Sequence, residues 1–204
     1  MVGAGSLKER NTAMAIYRPN ANLLRNQALQ FATIAHGNQV RKGNEHIPYI
    51  FHPVDVANEV IYYSGLPIEE LEVASVIALL HDTVEDTAVT SEQLREQFGS
   101  TVADGVFALT KDETVERADH SKREETLIAL SKLVKAPKYV QAVKLADRVS
   151  NLKSFPAMWK REKVASYLDE SGMIARALSE SSEGLHARLL SRIADARVML
   201  SLRG

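Results

Sequence analysis

The clearest pattern along the chain is the segment Ile68–Leu80, which is apolar apart from three glutamates and one serine and runs directly into polar side chains. Apolar residues fall on nearly every face of a helix drawn through it, which predicts a helix in the middle of the core. The segment then continues without a break into the run His81-Asp82-Thr83-Val84-Glu85-Asp86-Thr87. The sequence therefore places ionisable side chains where the core meets the surface.

Helical spacing also predicts two elements before this segment. The first runs from Asn22 to near Val40 and is broken by a loop at Arg41-Lys42-Gly43-Asn44. The second begins at Pro53, a residue that suits the first position of a helix, and this puts His52 at the helix entrance.

After the central segment, Thr90-Ser91-Glu92-Gln93 fits a capping box that opens a short helix through Phe98, with Gly99 as its stop. The charged stretch Lys111–Ser121 predicts an exposed, mobile loop. Gly184 separates the last two predicted helices. The remaining predicted helices are Val102–Leu109, a segment that ends before Pro137, Lys138–Lys153, Trp159–Leu178 and Leu185–Leu202. No strand pattern is found, so the sequence predicts an all-α fold, a helical bundle in a single compact domain.

A polar stripe runs along the helix predicted at Lys138–Lys153. Its apolar residues suit burial, whereas the polar residues recur at i, i+3, i+4 and i+7 and so share one face. These residues are Lys144, Asp147, Arg148 and Asn151. One interpretation is an exposed face with an internal salt bridge, and the other is a functional stripe on a buried helix.

The adjacent pair His81 and Asp82 has two interpretations as well. On a helix these side chains point about 100° apart and can close on a metal ion, while Glu85 and Asp86 follow at i+4 as a second acidic pair. Alternatively, the pair caps a buried helix and the acidic residues are a solvated end.

Composition narrows the class of protein. The chain of 204 residues and 22.5 kDa predicts one domain at residues 21–204, preceded by a weakly ordered head at residues 1–20. A formal net charge of −1 supplies no field that recruits a nucleic acid polymer or a membrane. The chain has no cysteine, so any metal must be bound by His, Asp or Glu. The absence of cysteine is compatible with a reducing cytoplasm, and the first twenty residues lack the apolar stretch of a signal peptide. The sequence therefore predicts a soluble, unexported protein of the cytoplasm.

Together these patterns indicate one candidate metal site. Two neutral imidazoles and two carboxylates offset a 2+ charge, and nitrogen and oxygen ligands without sulfur suit Mn²⁺, Fe²⁺, Co²⁺ or Zn²⁺. Mn²⁺ is favoured because it accepts further ligands and leaves room for water and a phosphate oxygen. The candidate ligands are His52, His81, Asp82 and Asp147.

Four runs carry a specific resemblance. They are Arg41-Lys42-Gly43, Pro48-Tyr49-Ile50-Phe51-His52-Pro53, Leu80-His81-Asp82-Thr83-Val84-Glu85-Asp86-Thr87 and Val143-Lys144-Leu145-Ala146-Asp147-Arg148-Val149-Ser150-Asn151-Leu152. In order and spacing, from Asn22 to about Tyr167, the chain closely resembles the hydrolase domain of the RelA/SpoT homologue superfamily, a branch of the HD-domain metal phosphohydrolases. It looks like a stand-alone small alarmone hydrolase.

That resemblance implies an activity and assigns roles to residues. It implies hydrolysis of guanosine 3′-diphosphate 5′-diphosphate, or of the pentaphosphate, to GDP or GTP and pyrophosphate. The four candidate ligands match the metal ligands of the family, whose metal is usually Mn²⁺. Glu85 and Asp86 match the acidic pair that positions or activates water. The implied substrate contacts are Arg41, Lys42, Asn151 and, on a looser alignment, Lys163 and Tyr167.

The charge of the substrate adds two residues to this set. A nucleotide with four or five phosphates requires compensating positive charge. Besides Arg41 and Lys42, the residues Lys144 and Arg148 can supply it.

Two other functions remain open. An HD phosphohydrolase acting on another nucleotide, such as an adenine alarmone, a deoxynucleotide or a phosphorylated dinucleotide, would be distinguished by rates across a nucleotide panel. A non-catalytic sensor would bind a nucleotide tightly without turnover. In each case the partner is a small-molecule nucleotide, and the sequence leaves the oligomeric state open.

Overall fold

The computed structural model describes residues 19–111 and 121–202, and these residues form a helical domain with one small hairpin. The two strands are β1 (Val40–Arg41) and β2 (Asn44–Pro48). The helices are α1 (Pro19–His36), α2 (Phe51–Tyr63), α3 (Ile68–Leu80), α4 (Thr83–Asp86), α5 (Ser91–Phe98), α6 (Ser100–Leu109), α7 (Lys122–Leu133), α8 (Lys138–Asn151), α9 (Arg161–Ala177) and α10 (Glu183–Leu202). The predicted all-α class is confirmed.

Helix α3 is the centre of the core, with the bounds that its apolar pattern predicts. Every residue of its second half, 74–80, is buried, and the helix packs against α1, α2 and α8. Because every face of this half is buried, the helix leads the chain into the interior rather than along the surface. The residue that follows Leu80 therefore emerges inside the domain.

The helix does not continue into the acidic pair, so that prediction was wrong. α3 ends at Leu80, His81 and Asp82 form a turn, and α4 is a separate short helix. The buried Thr83 hydroxyl donates a hydrogen bond of 2.7 Å to the Leu80 carbonyl, and threonine side chains that bond nearby carbonyls compete with regular helix geometry.

The segment predicted as a loop without strands contains the hairpin. β1 and β2 pair antiparallel, with Val40 opposite Pro48 and an irregularity between Val40 and Arg41. Strands this short carry no alternating pattern, which is why the sequence did not predict them. Gly43, at the turn, has φ +84°, and a Cβ there would lie 2.6 Å from Cβ of Pro156. The turn therefore requires glycine for both its backbone conformation and its close packing.

The helix ends follow their capping residues. The predicted capping box is confirmed, since Thr90 and Gln93 bond one another's backbone N–H groups and Gly99 follows with φ +83°. Helix α2 begins at Phe51, so Pro53 is its third residue and not its first. Helix α10 begins at Glu183, so Gly184 lies in its first turn and not between helices.

Two predicted features fall largely on residues that lie outside the described part of the chain. These are residues 1–18 of the head and residues 112–120 of the Lys111–Ser121 loop. Within residues 19–111 and 121–202, no helix combines the length and apolar character that crossing a bilayer requires.

A buried carboxylate joins the first and last thirds of the fold. Glu59 of α2 is 3% exposed and accepts hydrogen bonds of 2.7 and 3.0 Å from Arg188 of α10. Lys153, just after α8, lies 2.9 Å from the same carboxylate. Burial by itself raises the pKa of Glu59, but the hydrogen bonds from Arg188 and Lys153 outweigh it and lower that pKa.

We predict that Gly184→Ala destabilises the domain. A Cβ at this position would lie 2.2 Å from the Tyr63 carbonyl oxygen, and such overpacking costs about 1–3 kcal/mol. Urea denaturation measures the loss of unfolding free energy. Gly172→Ala is the matched control, because that helical glycine has nothing within 4 Å of the added carbon, and it should be neutral or stabilising. Equal stability of the two variants would contradict this packing.

We predict that Glu59→Gln lowers the free energy of unfolding at pH 7 by about 1–3 kcal/mol and flattens its dependence on acid. Because the folded-state pKa of Glu59 lies below its ordinary value of 4.5, its contribution is present above that value and is lost as the pH falls through the folded-state pKa. Denaturation at a series of pH values measures both effects.

The control for Glu59→Gln is Asp169→Asn, which removes a carboxylate from an exposed pair with Arg197 and should cost less than about 1 kcal/mol. An unchanged acid dependence in Glu59→Gln would contradict the assignment of the depressed pKa.

Candidate metal centre

The candidate ligands come together at one point. His52 lies in the first turn of α2, His81 and Asp82 lie in the turn after α3, and Asp147 lies on α8. Nε2 of His52 is 3.4 Å from Asp147 Oδ1 and 3.5 Å from Asp82 Oδ2. Nε2 of His81 is 3.1 Å from Asp82 Oδ2 and 3.8 Å from Asp147 Oδ1. The ligand atoms of His52, His81 and Asp147 can together hold a metal ion.

Both imidazoles are buried and are held from behind through Nδ1. Nδ1 of His81 lies 2.8 Å from the Ala78 carbonyl oxygen, and Nδ1 of His52 lies 3.1 Å from Ser150 Oγ. The Nε2 atoms therefore point toward the carboxylates. Nε2 of His81 is buried and makes no hydrogen bond, although it is close to Asp82, and a nitrogen in that position suits a cation. The residues present thus fit a divalent metal.

The charges in the cluster are strongly coupled. Burial lowers the pKa of His52. Burial acts in the same direction on His81, but the Asp82 carboxylate outweighs it and raises the pKa of His81 to about 9. Burial disfavours the ionised carboxylates too, yet His81 holds the pKa of Asp82, and Lys144 that of Asp147, below the usual range. A cation that binds at Nε2 of His81 therefore displaces a proton at neutral pH.

The polar stripe of α8 lies on a largely buried part of the helix. Asp147 and Arg148 are 6% and 8% exposed, so the interpretation as an exposed face was wrong. The internal ion pair is present, since Lys144 Nζ lies 3.0 Å from Asp147 Oδ2. Asn151 donates to the other oxygen of Asp147 at 2.6 Å and accepts from Arg41 at 3.0 Å. The stripe thus fixes Asp147 and links the hairpin to the centre.

Asp86 and Glu85, the predicted acidic pair, bind different side chains. The hydroxyl of Tyr49 lies 2.5 Å from Asp82 Oδ2 and 3.1 Å from Asp86 Oδ2, so Asp86 is one side chain away from the cluster. Glu85 turns instead to Lys111, which bonds it through both Nζ and the backbone N–H. Burial, followed by the charge of Asp82, raises the pKa of Asp86.

The other predicted substrate contacts lie at different distances from the centre. The Arg148 guanidinium stacks over Tyr167 at 4.2 Å and lies 3.7 Å from Glu170, and its Nε and Nη1 are buried without hydrogen bonds. Burial raises the pKa of Tyr167 to about 12. Lys163 lies over Trp159 at 4.6 Å, away from the four ligands, and Lys42 is exposed.

A cavity of about 570 Å³ opens among α6, α7, α8 and α9 beside this stripe. The wall formed by α8 and α9 carries Lys144, Arg148 and Glu170, and Lys111 lies beside it. The wall formed by α7 carries Lys122, Glu125 and Lys132, and most of the lining surface is apolar. The volume is within the usual range for small-molecule sites.

Three residues around the ligands were not identified from the sequence, two that contact a ligand directly and one that contacts it through Ser150. They are Tyr49, Ser150 and Asp55, whose Oδ2 accepts from Ser150 at 2.6 Å. Tyr49 and Ser150 lie inside the runs that carry the family resemblance, but no local pattern assigns them a role. Asp55 follows His52 by three residues and so shares its helix face, which was the available signal.

The helical bundle and the buried His and Asp cluster define a class of protein, the HD domains. A family model described as HD domain matches residues 28–174, and the chain belongs to this family.

Comparison with individual proteins narrows the class. The chain is 31% identical over 178 residues to guanosine-3′,5′-bis(diphosphate) 3′-pyrophosphohydrolase MESH1 of Danio rerio, covering 85% of this chain and 94% of that protein. It is 33% identical to the Aquifex aeolicus guanosine-3′,5′-bis(diphosphate) 3′-pyrophosphohydrolase, over 80% of this chain and 23% of that longer protein. A solved structure described as a metazoan ortholog of SpoT that hydrolyzes ppGpp superposes with a TM-score of 0.73 at 25% identity, covering 84% of this chain and 94% of that one. The resemblance to the alarmone hydrolases is confirmed.

We predict that divalent cations raise the melting temperature of the protein. Binding to the folded state alone adds about 2.7 kcal/mol when the cation is present at a hundred times its dissociation constant. Differential scanning fluorimetry across a panel of divalent cations measures the rise, and Asp82→Asn should abolish it. Asp104→Asn, which alters an exposed carboxylate paired with Arg95, should retain it. An equal rise in the Asp82→Asn protein would contradict this site.

Proposed function

We propose that the protein is a metal-dependent hydrolase that removes the 3′ pyrophosphate from guanosine 3′-diphosphate 5′-diphosphate, leaving GDP, and from the pentaphosphate, leaving GTP. The single observation that carries the proposal is the convergence of His52, His81, Asp82 and Asp147 at one buried point, with Asp86 one side chain away. The printed names of the relatives, which are 3′-pyrophosphohydrolases of this nucleotide, support the substrate.

These four side chains are the proposed metal ligands, and Mn²⁺ is the proposed metal. Two carboxylates and two imidazoles balance a 2+ charge, and the nitrogen and oxygen set without sulfur suits Mn²⁺. When bound, such a cation polarises a phosphoryl oxygen and makes a nearby water more acidic. The bundle supplies a buried position in which these effects are weakly screened.

Asp86 is the proposed general base. Its raised pKa brings it closer to neutral pH than an ordinary aspartate, which favours proton transfer from water. The Tyr49 hydroxyl positions Asp86 beside Asp82. Glu85 holds Lys111 at the edge of the cavity. The water oxygen bonds to the phosphorus attached to the ribose O3′, and one proton of the water passes to Asp86. The P–O3′ bond breaks, and the proton held by Asp86 is returned to O3′, which leaves as the hydroxyl of the product.

The positive side chains around the cavity are proposed to balance the substrate's phosphates. Arg148 has buried nitrogens that make no hydrogen bond, and Lys144 lines the same wall. Charged donors in a partly dry site bind phosphate oxygens strongly.

Residues outside that wall complete the proposed substrate contacts. Arg41 and Lys42, on the hairpin and its turn, are the proposed contacts to the guanine and a phosphate. Asn151 bridges Arg41 and Asp147. Tyr167 supports Arg148 through ring stacking, and Lys163 extends this side of the site.

We predict Mn²⁺-dependent conversion of the tetraphosphate to GDP and pyrophosphate, identified by chromatography and ³¹P NMR. His52→Ala and Asp82→Ala should lose nearly all activity. A parallel panel with an adenine analogue, deoxynucleotides and a phosphorylated dinucleotide tests the alternative substrates. An intact tetraphosphate in the presence of Mn²⁺ would show that the proposal is wrong, and faster turnover of another nucleotide would reassign the substrate.

The activities of two variants distinguish the roles of Asp86 and Glu85. Asp86→Asn should reduce kcat by about a hundred- to ten-thousand-fold while Mn²⁺ binding persists, and Glu85→Gln should have the smaller effect because Glu85 contacts Lys111 and not the cluster. A larger loss in Glu85→Gln would transfer the role of the base to Glu85.

A further inference from the structure

A chain of polar contacts continues outward from His52, on the side facing away from the metal centre. Ser150 is 5% exposed, and its Oγ lies 3.1 Å from His52 Nδ1 and 2.6 Å from Asp55 Oδ2. The other oxygen of Asp55 accepts from Lys153 at 2.6 Å. Lys153 also contacts Glu59, the carboxylate that Arg188 holds.

The donors and acceptors in this chain fix the direction of each hydrogen bond. An ionised carboxylate only accepts, so the single hydroxyl proton of Ser150 is donated to Asp55. The lone pairs of the hydroxyl then remain for His52, which must carry its proton on Nδ1 to make the bond. In a neutral imidazole the other nitrogen, Nε2, is left with its lone pair.

His81 has a different partner behind its ring. Its Nδ1 faces the Ala78 carbonyl, which can only accept, so its orientation is set by the backbone of α3. His52 has no such backbone partner at Nδ1. Its tautomer therefore depends on two side chains, one from α8 and one from α2.

We propose that Ser150 and Asp55 are a positioning pair, which holds His52 in the tautomer and ring orientation that present Nε2 to the divalent cation. Lys153 anchors the pair by holding Asp55 in place. Partners of this kind, behind a ligating histidine, typically contribute a factor of 10–100 to metal affinity. This inference rests on the metal site proposed above.

Two measurements on the full-length protein test the role. Isothermal titration with Mn²⁺ should give a dissociation constant about 10–100 times higher for Ser150→Ala, and Asp55→Ala should change it in the same direction. Ser150→Thr, which keeps the hydroxyl, should restore affinity. The matched control is Ser75→Ala, because Ser75 is 3% exposed and donates to a backbone carbonyl in α3 away from the centre.

The second measurement reads the tautomer directly. Long-range ¹⁵N–¹H correlation spectra of the metal-free protein should show the His52 proton on Nδ1, and Ser150→Ala should shift it partly to Nε2. A hydrogen bond that served stability alone would leave this ratio unchanged. If Ser150→Ala does not fold, the Mn²⁺ affinity of Asp55→Ala and the His52 tautomer in the unsubstituted protein still test the proposal.

The outcomes separate this role from the metal site itself. Unchanged Mn²⁺ affinity in folded Ser150→Ala or Asp55→Ala protein, or a His52 proton found on Nε2 in the unsubstituted protein, would overturn the positioning role alone. Failure of the unsubstituted protein to bind Mn²⁺ would overturn both the metal site and the role.

Discussion

The structure depends on keeping four ionisable side chains dehydrated at the meeting point of α2, α3 and α8. Removing an imidazole or a carboxylate from water is costly unless hydrogen bonds or opposite charges replace the lost solvation. Each member of the cluster has such a replacement: a carbonyl for His81, a serine for His52, a tyrosine for Asp82, and an asparagine with a lysine for Asp147. These partners come from separate parts of the chain, so the centre forms only when the whole bundle does.

Local sequence patterns predicted the elements that depend on local physics. The largely apolar character of Ile68–Leu80 predicted the central helix α3, and the reciprocal bonds of Thr90 and Gln93 followed from residue spacing. The same reasoning did not find the hairpin, because β1 has only two residues and β2, Asn44–Pro48, has no alternating apolar pattern. The apolar pattern also predicted, wrongly, that the helix continues through Asp82, because it gives no sign of the hydrogen bond from Thr83 to the Leu80 carbonyl.

The candidate site was predictable in its residue types and only partly in its connections. The His81-Asp82 pair alone left two interpretations open, but together with His52 and Asp147 it indicated a metal, and the distances between the ligand atoms agree with that interpretation. The surroundings of α8 were not predictable, because the same stripe fits an exposed face or a buried one until its neighbours are known. Contacts across long sequence separations, such as Tyr49 to Asp82 and Ser150 to His52, leave no periodic signal.

The absence of a side chain at Gly43 lets two distant segments of the chain pack directly against each other. Pro156 occupies the space that a Cβ would fill, so the tip of the hairpin rests directly on the segment between α8 and α9. The hairpin carries Arg41, and the other segment leads to Phe155 and Trp159, which pack with Tyr167. Two stretches more than a hundred residues apart are therefore in direct contact, and the position of Arg41 depends on the position of the aromatic cluster around Tyr167.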